Sequence, residues 1–312
     1  THGISLAAAM AAVDNPNLPI NPLHWDATID VDAITTWKAN FKNLDSRGVS
    51  FWAPPAELQP GKIPATAHVD YHYSMAADTV TLTASEIATP SSRLRMNGVL
   101  GRTDSAIDTL LETEDLIPWD DFINRIRGED AEPRVIGGKI TWQGRIAGPL
   151  AGPTFAGHVK ALEARYDDLY WDSLEGELLY QPNGFRFLRG TAARNRSSAQ
   201  FEVSLDLDDW GFGPNAFWDF DLTLVRTDTG GLQDLLGWSY PAHGVVSGSF
   251  HGGGKRANPE LDGLFDIIEP QAWGWQADRA RGQITLRRGE LRIANAELRL
   301  TPPHADNGAQ DS

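Results

Sequence analysis

Phe201-Glu-Val-Ser-Leu-Asp-Leu207 alternates apolar and polar residues without a break. Side chains along an extended chain point to opposite sides in turn, so this stretch reads as a strand with one dry and one wet face. Working outward, Trp218-Asp-Phe-Asp-Leu-Thr-Leu224 repeats the pattern, as do Val80-Thr-Leu-Thr83, Val69-Asp-Tyr-His-Tyr73, Ile284-Thr-Leu286 and Leu291-Arg-Ile293. Turn residues separate the segments, as in Pro182-Asn-Gly184 and Arg287-Arg-Gly289. Such short links make antiparallel meanders, because parallel units need a crossover helix between strands.

The punctuation itself recurs. Gly138-Lys-Ile-Thr-Trp-Gln-Gly144 leads to Gly148 and Gly152-Pro-Thr-Phe-Ala-Gly157. Gly244-Val-Val-Ser-Gly248 leads to Gly252 and Asn258-Pro-Glu-Leu-Asp-Gly263. Gly138 and Gly244, Pro153 and Pro259, Gly157 and Gly263, and Gly176 and Gly282 all stand 106 positions apart. Ser91-Ser92 and Ser197-Ser198 share that spacing, and Thr89-Pro90 and Thr301-Pro302 stand at twice it. The expectation is an all-β protein built of repeats of about 106 residues. A first, partly degenerate copy covers 1–136, a second 137–242, and a truncated third 243–312.

Helix signals are few. Asp104-Ser-Ala-Ile-Asp-Thr-Leu-Leu111 offers an N-cap followed by apolar residues at helical spacing, as does the span from Asp228 to Gly237. Trp119 to Ile126 is a further short candidate, so that helices over 104–127 close the first copy.

Composition excludes several functions. The chain has 312 residues, a net charge of −15 and no cysteine. An acidic chain lacks the basic face that nucleic acid or anionic head groups require. Disulfides, thiolate chemistry and Cys-ligated zinc are ruled out. No run approaches the roughly 20 apolar residues of a spanning helix. Leu6–Val13 lacks a basic leader, and the start at Thr1 reads as a stretch taken from something longer.

Motifs for chemistry are weak. His68, Asp70 and His72 share one strand face, and a solvated polar face opposite Val69, Tyr71 and Tyr73 is the reading preferred over a metal site. Asp120-Asp121, Asp167-Asp168 and Asp208-Asp209 are adjacent pairs, which on a strand point apart and cannot converge on a sugar. Gly252-Gly-Gly254-Lys255 lacks the Ser or Thr of a phosphate loop and reads as a flexible turn. The expectation is no enzyme, no metal and no cofactor.

The dry face carries the functional reading. Trp142, Phe185, Phe187, Phe201, Phe220, Phe250 and Phe265 fall on its positions, joined by Val80, Leu82, Leu94, Met96, Val203, Leu205, Leu222, Ile284, Leu286, Leu291 and Ile293. Glycines nearby let a sheet bend, so the expected shape is a strongly curled trough. These residues would line an apolar groove for lipid tails, where each buried CH2 is worth about 0.8 kcal/mol. A sandwich core uses the same pattern.

The runs Gly244–Gly252, Asn258–Gly263, Arg279–Ile284 and Gly289–Leu298 resemble the repeat region of the translocation-and-assembly-module (TamB) and AsmA-like family, and Gly144, Pro153, Phe155, Gly157, Leu174, Gly176 and Gly184 carry the same style earlier. The resemblance covers roughly residues 80–302. It implies a U-shaped, taco-like sheet in the bacterial periplasm, in a parent chain anchored in the inner membrane. It further implies phospholipid transfer between envelope membranes, a role in outer-membrane assembly and protein secretion, and contact with an outer-membrane barrel protein through parts outside this segment. Two alternatives stay open. One is a filled β-solenoid spacer of structural or adhesin type. The other is a carbohydrate-binding module using the chain's 11 Trp, with Trp171, Trp273 and Trp275 the exposed candidates.

Overall fold

The computed structural model describes residues 4–5, 28–33, 49–52, 66–74, 77–119, 135–167, 169–213, 215–236, 241–255 and 258–300. They form an antiparallel sheet with almost no helix. The strands are β1 (Ile4–Ser5), β2 (Thr28–Ala33), β3 (Val49–Trp52), β4 (Thr66–Ser74), β5 (Thr79–Ala88), β6 (Ser92–Gly101) and β7 (Ser105–Thr113). They continue as β8 (Ile136–Gly148), β9 (Thr154–Tyr166), β10 (Leu169–Gln181), β11 (Gly184–Arg194), β12 (Ser197–Asp206) and β13 (Phe217–Asp228). After helix α1 (Thr229–Leu236) come β14 (Ala242–Lys255), β15 (Asn258–Ala272), β16 (Trp275–Gln276), β17 (Arg279–Arg287) and β18 (Glu290–Arg299).

Each strand pairs with its successor, except that β17 returns past the two-residue β16 to lie along β15. The result is one long meander. The links are tight: Gln181 pairs with Gly184 across Pro182 and Asn183, and Arg287 with Glu290 across Arg288 and Gly289. The latter two have φ of 53° and 75°, the backbone of a two-residue primed turn. The boundaries expected at 136/137 and 242/243 fall one residue inside β8 and β14, and pairing runs on through both strands.

Register shifts interrupt the ladders at regular places. The β10–β11 shift lies between Glu175 and Glu177, and the β17–β18 shift between Arg281 and Gln283, 106 positions on. The bulged residues behave alike: Arg189 and Asn295 have φ of 53° and 51°, and Glu163 and Glu269 of 53° and 50°. Pairing coincides too, since Ile140↔Ala161 becomes Val246↔Ile267 and Gly144↔Gly157 becomes Phe250↔Gly263.

Three expectations are corrected. The span 104–111 is no helix: Ser105–Thr113 is β7, paired to β6 and β8 along its length. Ile107, Leu110 and Leu111 fit a helical spacing, but Ser105, Ile107, Thr109 and Thr113 alternate into the sheet, and two flanking ladders decide the matter. Residues 120–126 of the neighbouring helix candidate lie outside the described residues, and Ile117–Trp119 is a single 3-10 turn. The Gly252–Lys255 stretch is the end of β14 and not a turn. Finally, the sheet is open and is not strongly curled. Gly176, Gly190, Gly252, Gly263 and Gly282 instead lie under aromatic rings from neighbouring strands and serve as seats. The helix expected near Asp228 is present as α1, its first turn capped by Asp228, which accepts from the Gly231 N–H at 2.9 Å.

Candidate functional site: one apolar sheet face

Directly paired residues in an antiparallel sheet project to the same side. One row runs Ser85, Met96, Thr109, Gly144, Gly157, Leu178, Phe187, Val203, Phe220, Gly252, Leu261, Leu286 and Leu291. Another runs Gly190, Phe201, Leu222, Phe250, Gly263, Ile284 and Ile293. Followed outward, the registers put all eighteen expected lining residues on a single face. Val80 and Leu82 lie on β5, Leu94 on β6, Trp142 on β8, Phe185 on β11, Leu205 on β12 and Phe265 on β15. At about 4.8 Å per strand, the face from β4 to β18 is roughly 60 Å long.

Little of it is sealed. Among the described residues the buried apolar side chains are Ile107, Ala161, Phe187, Leu224, Val246 and Ala277. The other expected lining residues are half-buried, and Leu291 and Ile293 are 58% and 59% exposed. A two-layer core would bury most of such a row.

The rings lie on glycines. A Cβ at Gly252 would sit 2.3 Å from the Phe220 ring, at Gly263 2.4 Å from Phe250, and at Gly176 2.4 Å from Phe187. Because no side chain rises there, the ring of a neighbouring residue lies flat over the backbone and covers its polar groups. Phe187 and Phe201 stack at 5.4 Å and 10°, and Trp218 and Phe220 at 5.4 Å and 11°.

The face is bounded at both strand ends. The 207–213 turn folds over it, with Trp210 edge-on to Tyr180 at 4.7 Å and to Phe155 at 6.1 Å, and burial there pushes the Tyr180 phenol up. At the opposite end α1 packs on β13 and β14 and reaches β10. Thr229 donates to the Gly244 carbonyl at 3.1 Å, and the Trp119 indole donates to Ser92 at 2.8 Å.

The other face is wet and charged. Arg145 donates to both carboxylate oxygens of Asp108, at 2.7 and 3.1 Å, which holds Asp108 below the usual carboxylate range. Arg279 does the same for Asp266. Arg287 spans Glu260 and Asp262, and Arg95 spans Glu86 and Glu112.

Sequence reasoning missed Ile107, Ile146, Phe155, Leu178, Tyr180 and Leu261, which share the dry face. Extending the period-two count from Trp142 to Ile146 would have reached the second of these. His68, Asp70 and His72 lie on the wet side of β4, opposite Glu86, Thr83 and Thr81. The metal-compatible grouping among the described residues is a different one, Asp219, Asp221 and His251. His251 there meets Asp221 at 3.0 Å and Asp219 at 3.6 Å, as one more polar contact on the solvent-facing side. Asp120 and Asp121 lie outside the described residues, as does Asp168; Asp208 bridges to Gly211 in the turn that carries Trp210. Trp273 and Trp275 are 73% and 76% exposed, whereas Trp171 is half-buried. No protein-family model, curated protein or solved structure matches the chain.

Proposed function

We propose that this chain is a segment of a non-enzymatic envelope scaffold whose dry sheet face holds phospholipid acyl chains, in units of about 106 residues. One observation carries the reading: a continuous apolar face of roughly 60 Å with no second layer of protein against it among the described residues. An exposed apolar strip of this extent is costly in water unless something covers it, and alkyl chains match its chemistry without directional bonds. The coincidence of bulges and registers at 106 positions supports the repeat. The TamB-like motifs, the acidic wet face and the periplasmic setting they imply agree with lipid carriage, in which head groups stay in solvent.

Native mass spectrometry of the purified chain tests the idea. Phospholipid adducts are expected, and they should vanish in Phe201→Glu and Phe220→Glu while the circular dichroism of the sheet persists. If the wild type carries no lipid, or either variant unfolds, the face is a core and the proposal fails. Trp273 and Trp275 favour a second reading, glycan stacking at the β15–β16 turn, because Trp273 is held at φ 47° while its ring stays exposed. A fluorescence titration with oligosaccharides, leaving Trp emission unchanged, would remove it.

A further inference from the structure

We propose that Trp210 is a fixed stop that limits the length of an acyl tail lying along β9–β11. This role presupposes that the dry face carries lipid, and it adds the direction and the length class of the tail.

Two links hold the same place in the meander and differ. β7 and β13 each pair with one of the Gly-rich strands β8 and β14. β7 is reached from β6 through Arg102–Asp104, three residues, whereas β13 is reached from β12 through Leu207–Ala216, ten residues. A hairpin loop needs about two to five. The surplus folds back over the strand ends. Leu207 N–H donates to the Asn183 carbonyl at 3.2 Å and Trp210 N–H to the Pro182 carbonyl at 2.9 Å, which ties the turn to the β10–β11 link. Asp208 and Gly211 close it with mutual backbone bonds of 2.8 and 2.9 Å. Asp209 and Trp210 both hold left-handed backbones, with φ of 46° and 71°. A bulky residue is rare in that conformation. Here it lays the indole against Tyr180 and Phe155 on the dry face.

The indole thereby closes one end of an apolar strip. Tyr180, Leu178, Gly176 and Leu174 take alternate positions of β10 on the dry side, flanked by Val159 on β9 and Phe187 on β11. The Phe187 ring lies over Gly176, so no ridge crosses the strip. From Tyr180 to Leu174 is about 20 Å at roughly 3.3 Å per residue. At the other end of these strands α1 reaches β10. A tail in one bilayer leaflet spans about 15 Å, half of the ~30 Å hydrocarbon core. The strip therefore takes one long tail parallel to the strands. Across the strands the face offers a tail no such stop, and it passes to the buried hydroxyls of Thr109 and Ser85. Tail direction and tail length are thus tested together.

The test titrates the full 312-residue chain with single-tailed lysophosphatidylcholines, from lauroyl to behenoyl, kept below micelle formation and read by native mass spectrometry. In the wild type, affinity should rise roughly twofold per added CH2, as for a half-covered tail, and level off once the strip is full. In Trp210→Ala the rise should continue past that length, so that the longest tail binds roughly fourfold tighter than it does to the wild type. Trp210→Phe, which keeps a smaller ring on Tyr180, should level off in between, and it carries the comparison if the alanine variant loses its sheet by circular dichroism. Trp273→Ala, at an exposed turn of β15, should leave the wild-type curve unchanged. The stop is overturned if wild-type affinity rises without levelling off, since tails would then run across the strands. It is overturned equally if the Trp210 variants level off at the wild-type length. Binding of no lysolipid at any length overturns the lipid reading itself, and the stop with it.

Discussion

The dry face is built in two ways. From β5 to β8 its closest-packed members are mostly hydroxyls: Ser85, Ser92, Ser105, Thr109 and Thr113 are all buried, with Ile107 the one buried apolar side chain among them. Their hydrogen bonds serve the fold. Ser85 bonds Asp70 across a bulge at 3.2 Å, Ser105 donates to the Gly101 carbonyl at 2.9 Å, and Thr109 donates to the Gly144 carbonyl while accepting from the Trp142 indole at 2.9 Å. From β11 to β17 the face is instead ring on glycine. The first half stitches itself with directional bonds and leaves modest apolar relief. The second covers backbone with flat ring faces that meet whatever lies above. One alternating pattern can thus make either a stitched or a ring-paved surface, depending on what register sets beside each residue.

The largest effect that would break this contrast is expected at Gly252→Val, where the new side chain collides with the Phe220 ring. It should cost about 3 kcal/mol, as overpacking does, read as a loss in denaturant midpoint. A cost under about 1 kcal/mol would mean that the ring has room to lift. Phe250→Ala bares Gly248 and Gly263 together, but the ring is only half-buried. It should cost about 2 kcal/mol, below the 3–5 typical of a sealed core. Thr109→Val probes the stitched half. Removing the acceptor of the Trp142 indole should cost about 1–2 kcal/mol and shift Trp emission. The smallest effect belongs to the wet face. Asp108 titrates lower in the folded chain than in the unfolded one, because Arg145 hydrogen-bonds it. Its contribution is thus present above the ordinary carboxylate pKa and is lost as pH falls through the lowered one. Both groups are fully exposed, so added salt should erase most of the difference between wild type and Arg145→Ala in an acid titration.

These differences explain what the residues could announce in advance. Phe201–Leu207 and Trp218–Leu224 were legible because strict alternation has one meaning. Asp228 announced α1 because a capping side chain acts on its own chain neighbours. Ile107, Leu110 and Leu111 misled because two periodicities overlap across so short a run. The shape of the sheet was hidden for a deeper reason. Whether a glycine bends a strand or seats a ring depends on the residue opposite it, as Phe220 is opposite Gly252, and that pairing belongs to register and not to local sequence. The lining residues could be named from alternation alone, whereas the bounding role of Trp210 and α1 required the ends of the strands to be placed.

The unbroken meander also governs how damage spreads. Since almost every strand is bonded only to its chain neighbours, stability is close to a sum of hairpin terms plus interfaces between successive strands. A fault in β6 then loosens β5 and β7 and fades within a few strands, so distant hairpins should keep their amide protection while the local ones exchange. Such a molecule fails piecewise, like a rope losing single fibres, and can go on bearing load along its length after injury at one place.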